Sequence, residues 1–182
     1  MSKDFSDYKN RALFVHIPKT AGASMSSAPF ILKHGSQGIA PNSEFIKSLP
    51  FRFSFVRNPY DRFASVVLNL GYATPETFED FVLNEFPKRI KRGLVELNEQ
   101  PLWSMEKYLY FNGKLEVDFL GHFENLLEDW EKVCKKIGYN FPLPHSNKSK
   151  YNQNYNKFYS LKTRKMIGEI YKNDFSLFGY NK

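Results

Sequence analysis

Ala12-Leu13-Phe14-Val15-His16-Ile17-Pro18-Lys19-Thr20-Ala21-Gly22-Ala23-Ser24-Met25-Ser26-Ser27 joins an unbroken apolar run to a cluster of small and hydroxylated residues. A short run without alternation is what a strand buried on both faces requires, as in a parallel sheet. Pro18 ends that run, and Lys19 to Ser27 have the side chains of a tight turn that opens a helix. The same design returns at Phe51 to Val56, which breaks at Arg57-Asn58-Pro59. Asn58 is a helix cap and Pro59 suits the first helical position. Phe63, Val66, Val67 and Leu70 then fall at i, i+3, i+4 and i+7, which places Arg62, Ser65 and Asn69 on a different face, predicted free to bind.

Working outward, Thr74-Pro75-Glu76 predicts a third helix with Phe78, Phe81, Val82 and Phe86 inward. Lys88 to Arg92 is a basic run, and the segment from there to Met105 reads as loop with short helical pieces. Tyr108 to Phe111, Asn112-Gly113 and Lys114 to Val117 have the form of a hairpin with a type I′ turn. Val117 to Gly121 is predicted to enter the main sheet. Leu126, Leu127, Trp130, Val133, Cys134 and Ile137 make an amphipathic helix that Gly138 stops. Residues 144–160 read as a polar loop. A last helix is predicted with Met166, Ile167, Ile170 and Tyr171 inward, ending before Phe175. Interleaved strands and helices without repeats predict one α/β layered domain over residues 1–182, mainly parallel in its sheet, behind a polar tail at 1–10.

The chain has 182 residues, 42% hydrophobic, 17% aromatic and 25% charged, enough apolar material to exclude wholesale disorder. No apolar run approaches the roughly 20 residues of a membrane span, and the start is polar, which predicts a cytoplasmic protein without membrane insertion. Cys134 is the only cysteine, so no internal disulfide forms, and no Cys/His spacing suits structural zinc. The formal charge of +7 favours anionic partners but does not choose among nucleotides, nucleic acids, sulfated ligands and membrane surfaces.

In open α/β sheets, ligands bind beyond the carboxyl ends of the strands, where Lys19 and Arg57 both stand. A helix opening there offers free N–H groups to a phosphate-like anion. The order is not that of a Walker A loop, because lysine precedes glycine. His16-Ile17-Pro18-Lys19-Thr20-Ala21-Gly22-Ala23-Ser24 resembles the 5′-phosphosulfate loop of the sulfotransferases, in the branch that contains the carbohydrate sulfotransferases (sulfotransferase family 2). Phe53 to Ser65 resembles the 3′-phosphate motif of that branch. Phe119 to Leu126, Ile170 to Phe175 and Phe178-Gly179-Tyr180 are also similar to family stretches.

That resemblance implies a P-loop-like, three-layer fold and transfer of a sulfuryl group from 3′-phosphoadenylyl sulfate (PAPS) to an acceptor hydroxyl, with release of 3′,5′-adenosine bisphosphate (PAP). It implies that Lys19 sits at the bridging oxygen where charge grows, and that Thr20, Ala21, Gly22, Ala23, Ser24 and Met25 surround the 5′-phosphate. Arg57 and Ser65 are implied to hold the 3′-phosphate. Ala23 departs from the threonine common in relatives, and the stretch between Ser24 and Arg57 is short for the branch. His34, in Lys33-His34-Gly35-Ser36, resembles the general base that the family places between its two motifs. His16 is as readily structural, and His122 and His145 are weaker candidates. Asn147-Lys148-Ser149-Lys150 matches a loop that folds over the nucleotide, with a solvated linker as the plain alternative. No metal is required by this reading.

Lys88, Arg89, Lys91 and Arg92 suit an anionic acceptor, but a charge run is usually a solvated face. Trp103, Tyr108 and Tyr110 suit a sugar, but packing is the commoner use. Partners are thus a nucleotide donor and an acceptor, glycan or small hydroxyl compound, with no specific nucleic acid. Two other classes stay open at this point: a nucleotide kinase of related fold, and a basic module that holds nucleotide or nucleic acid without chemistry.

Overall fold

The computed structural model describes residues 12–25, 28, 31–34, 49–94, 96–139, 141–143 and 154–182. In chain order these form β1 (Ala12–Val15), α1 (Gly22–Met25), β2 (Ile31–His34), β3 (Phe51–Val56) and α2 (Pro59–Asn69). There follow α3 (Phe78–Asp80), a π turn (Phe81–Glu85), α4 (Phe86–Lys91), a 3-10 helix (Leu97–Leu102) and α5 (Met105–Leu109). The rest comprises β4 (Tyr110–Phe111), β5 (Lys114–Leu115), β6 (Phe119–His122), a 3-10 turn (Phe123–Asn125), α6 (Leu126–Ile137), a 3-10 turn (Tyr155–Phe158), α7 (Leu161–Ile170) and α8 (Lys172–Leu177). The fold is α/β, as the two apolar runs predict. Among the described residues no helix is long and apolar enough to cross a membrane.

The chain divides into two compact units, 1–56 with 107–147 and 57–106 with 148–182. The first holds a four-stranded sheet in the order β2-β1-β3-β6, parallel throughout. All four residues of β1 are buried, which explains why its run does not alternate. Phe14, Phe51, Phe53 and Phe55 pack with Met25, Trp130, Val133 and Cys134 into one core, and Phe14 stacks on Phe53 at 5.2 Å between centroids. α6 covers this sheet with Leu126, Trp130, Val133, Cys134 and Ile137, whereas Leu127, predicted inward, is 56% exposed; Gly138 closes the helix in the left-handed region at φ 74°. Gly121 is required by packing, since a Cβ there would come within 2.5 Å of the Phe55 ring.

One strand here is new and one further expectation changes. β2 carries no apolar period, because Ile31-Leu32-Lys33-His34 is a short edge strand, and only its pairing with β1 reveals it. The hairpin keeps its turn, with Asn112 at φ 48° and Gly113 at φ 75°, but shrinks to two residues per strand. Tyr108 and Leu109 are both buried, a consecutive burial that suits α5 and not an alternating strand.

The second unit is helical around an aromatic core of Tyr60, Phe63, Phe78, Phe81, Phe86, Tyr171 and Phe175. Asn58 caps α2 by accepting from the Tyr60 and Asp61 N–H groups, with Pro59 first in the helix. The predicted apolar stripe holds at Phe63, Val66 and Val67, whereas Leu70 is half exposed at the helix end. Arg62 is not on a free polar face. It is 1% exposed and its Nη2 donates to the Pro101 carbonyl at 2.9 Å.

The third predicted helix starts at Phe78, with Thr77 and not Thr74 in the cap position, and runs on through a π turn into α4. Pro87 has no N–H to donate and crowds the carbonyl four residues back, which the wider turn relieves. Three of the cations in the basic run that follows are paired with carboxylates. Lys88 pairs with Glu85, and Arg89 and Arg92 meet Glu99, which is fully buried. Burial alone would raise the Glu99 carboxyl; the hydrogen bonds from Arg92 and the Glu96 main chain, with the charge of Arg89, more than offset it and hold it below the usual carboxylate range. The last helix breaks at Tyr171, whose hydroxyl donates to the Leu102 carbonyl at 2.5 Å, and resumes as α8 through Phe175. Ile170, predicted inward, is 37% exposed, and Phe175 takes its place in the core.

Candidate functional site

Because the sheet is parallel, its four carboxyl ends lie at one end. Val15 pairs with His34 in β2, Phe14 with Phe53 in β3, and Val56 with His122 in β6. That end carries the turn after β1 and delivers the chain from β3 to Arg57. Ser54 ties two of the strands there, its Oγ donating to the Val15 carbonyl at 2.7 Å.

The turn after β1 is folded by left-handed residues that are not glycine. Lys19 has φ 70° and Ala21 φ 67°, a conformation that costs an L-residue about 1–2 kcal/mol. It persists because its neighbours hold it. The Thr20 side chain is fully buried and its Oγ1 donates to the Ile17 carbonyl at 2.8 Å. The Ala21 carbonyl accepts from the Ser24 and Met25 N–H groups at 3.0 and 3.3 Å, which starts α1. Gly22 lies flat against the His16 imidazole: a Cβ there would fall 2.0 Å from Cδ2. Lys19 is half-buried, Ser24 buried and Ala23 exposed. Met25 is fully buried in the sheet core, so what it turns toward any ligand is main chain.

Arg57 begins the second unit and is 8% exposed. Its Nε meets Asp61 Oδ2 at 2.8 Å, reaching from the residue before the Asn58 cap to the first turn of α2, which aims the guanidinium. Asp61 is a partner that the sequence motif does not single out, because Arg57 precedes the cap and the helical i, i+4 rule does not reach it. Ser65 is buried on α2, and its Oγ accepts from Asn69 Nδ2 at 3.3 Å while its carbonyl accepts at 3.0 Å. The hydroxyl has one O–H to donate besides the lone pair that Asn69 engages.

The histidines separate. His34 closes β2 opposite Val15; only its backbone is described. His16 packs on Gly22 in the turn itself. The His122 N–H donates to Asp129 Oδ2 at 2.8 Å, fixing the end of β6. Burial would raise the Asp129 carboxyl, but that N–H and Lys132 together bring it below its ordinary value. His145, Asn147, Lys148, Ser149 and Lys150 lie outside the described residues. Cys134 is buried in the core, where loss of solvent pushes its thiol up. Trp103 donates through Nε1 to the Leu94 carbonyl, and Tyr108 is buried, so both serve packing.

The two turns thus present anion chemistry: main-chain N–H groups at a strained turn with a lysine, and an oriented, largely buried arginine with a serine hydroxyl. Each of these, taken by itself, suits a phosphate- or sulfate-like group. No curated protein sequence and no solved structure matches the chain. The pattern described as Sulfotransferase family matches residues 5–181, nearly its whole length. Sulfuryl transfer is the general chemistry of that family, and the chain belongs to the sulfotransferase family, in its family 2 branch.

Proposed function

We propose that this protein moves the sulfuryl group of PAPS to the hydroxyl of an acceptor, a glycan or a small alcohol or phenol, and releases PAP. The observation that carries this reading is the strained turn at Lys19 to Ala21, held rigid by Thr20 and by the His16–Gly22 contact at the carboxyl end of a parallel sheet. A turn so constrained is pre-organised to receive an anion. In the proposed reaction the acceptor oxygen attacks sulfur as the bond from sulfur to the phosphate oxygen breaks in line. The acceptor proton goes to His34, and the bisphosphate leaves with the bonding electron pair.

Lys19 is assigned to the charge that grows on the departing oxygen, where a positioned cation acts most strongly. Gly22 to Met25 are assigned main-chain donors to the 5′-phosphate, joined by the Ser24 hydroxyl. Thr20 supports them by closing the turn. Arg57 and Ser65 are assigned the 3′-phosphate, which distinguishes PAPS from other adenylates. His34 is favoured as base because β2 brings its main chain opposite Val15, beside the strand that leads into the lysine turn.

A thermal shift comparison tests the donor without an acceptor in hand. At a hundredfold excess over Kd, PAP should stabilise the native state by about 2.7 kcal/mol, roughly 5–10 °C for a chain of this size. AMP, ADP and ATP with magnesium should shift it less. A larger shift with ATP, or none with PAP, would overturn the proposal.

A further inference from the structure

The first turn of α2 is gripped through one side chain. Tyr60, second in the helix, is 2% exposed, and its ring meets Phe175 of α8 at 4.8 Å and Tyr159 at 5.3 Å between centroids. The Arg164 guanidinium lies over that ring at 4.2 Å. The Tyr60 hydroxyl donates to the Arg164 carbonyl at 3.3 Å, and the Tyr60 carbonyl accepts from the Tyr159 hydroxyl at 2.7 Å. α7 comes close enough that only glycine fits at 168, since a Cβ there would stand 2.7 Å from the Tyr60 oxygen. Ring, tip and main chain of Tyr60 are all fixed by residues 159–175.

The turn that Tyr60 belongs to also carries Asn58, whose side chain caps it, and Asp61, which aims Arg57. Tyr60 stands next to Asp61, so a tilt or slide of this turn carries the Arg57–Asp61 pair with it. We infer that Tyr159 and Gly168 are positioning residues for Arg57: the C-terminal helices set the first turn of α2 through Tyr60, and with it the preference for a 3′-phosphorylated nucleotide. This rests on the proposed reading of Arg57 as the 3′-phosphate ligand. Neither Tyr159 nor Gly168 is itself assigned to the ligand.

Dissociation constants of PAP and of AMP, measured by calorimetry on the full chain, test this in the wild type, Tyr159→Phe, Gly168→Ala and the double variant Gly168→Ala/Tyr60→Phe. Circular dichroism first establishes that each variant is folded at the working temperature. Tyr159→Phe and Gly168→Ala should bind PAP about tenfold more weakly while AMP changes by less than about twofold, as expected when a ligating group is displaced and not removed. The double variant should recover PAP binding, because without the Tyr60 hydroxyl the nearest ring atom stands 3.8 Å from the new Cβ. A purely structural role would weaken both nucleotides alike and leave their ratio unmoved.

An unchanged preference for PAP over AMP in Tyr159→Phe overturns the inference and leaves the role of Arg57 standing. A wild type with no such preference overturns the role of Arg57, and this inference falls with it. Should Gly168→Ala not fold, Tyr159→Phe decides alone, since it keeps the ring and removes one hydroxyl.

Discussion

At the scale of single residues, the turn after β1 is a set of mutual constraints, and Gly22 is the tightest. Its need is for space: a methyl group at 22 would stand 2.0 and 2.1 Å from His16 Cδ2 and Nε2. The imidazole, just past the end of buried β1, must shift to admit that methyl group. Gly22→Ala should therefore cost about 1–3 kcal/mol, the usual penalty of overpacking, read as a lower urea midpoint at unchanged slope. Removing the obstacle in His16→Ala/Gly22→Ala should return most of that loss. A Gly22→Ala protein as stable as the wild type would show that the contact is not tight. Thr20 adds a second constraint of another kind. Thr20→Val keeps the shape, but the Ile17 carbonyl loses its donor in a buried place, a loss of about 1–3 kcal/mol that chemical denaturation would detect.

At the scale of elements, the helical unit relies on a buried acid. Asp174 of α8 is fully buried, and its two oxygens accept from the Met105 and Glu106 N–H groups at 2.8 and 2.9 Å, capping the start of α5. Burial pushes its carboxyl up to about 6, against the pull of those N–H groups and of Arg62, whereas an unfolded aspartate titrates at 3.8. The folded chain thus holds the proton more tightly. Its contribution is full below pH 3.8 and is lost as pH rises through about 6, by about 3 kcal/mol in all. Glu99, Asp129 and Asp118, the last held down against its burial by hydrogen bonds from the Arg52 guanidinium and main chain, lie below their ordinary values, contribute in the opposite sense and lose stability as pH falls. The comparison with Asp174→Asn isolates the effect. That variant offers one acceptor for two N–H groups and should be less stable throughout, but its deficit should shrink between pH 4 and 6. A deficit independent of pH would show that Asp174 titrates as an ordinary carboxyl.

The same elements show what a sequence discloses and what it hides. The lysine turn, the Asn58–Pro59 helix start and the Gly138 stop are legible because each is written in consecutive residues with a local cause. The Arg57–Asp61 pair is not, because Arg57 stands before the Asn58 cap, where helical spacing does not apply. β2 is not, since an edge strand of four residues with two polar members has no period to read. The Asp174 cap joins α5 and α8, and Arg62 reaches Pro101 from another element, so neither has a spacing that predicts it. The His16–Gly22 contact is equally silent, because six residues of irregular turn have no fixed geometry until the turn itself is known.

At the scale of the whole molecule, the two compact units are threaded through each other along the sequence. The first is interrupted by 57–106 and the second by 107–147, so each unit must close a long loop that is the body of the other. Loop closure is less costly when the intervening chain is already folded with its ends fixed. Folding of either unit should therefore favour the other, and we expect residues 1–182 to unfold as one domain. Nature has placed one tryptophan in each: Trp130, 2% exposed with its Nε1 donating to the Phe141 carbonyl at 2.7 Å, in the first, and Trp103 in the second. In Trp103→Phe the fluorescence reports the sheet unit alone, and in Trp130→Phe the helical unit. Trp130→Phe removes more buried surface and lowers overall stability, so each variant is compared with its own circular dichroism transition and not with the other variant. Coincidence of the two probes in both proteins is the expected outcome. A fluorescence midpoint that departs from the circular dichroism midpoint in either would show two units melting separately, and the chain would then count as two domains despite its length.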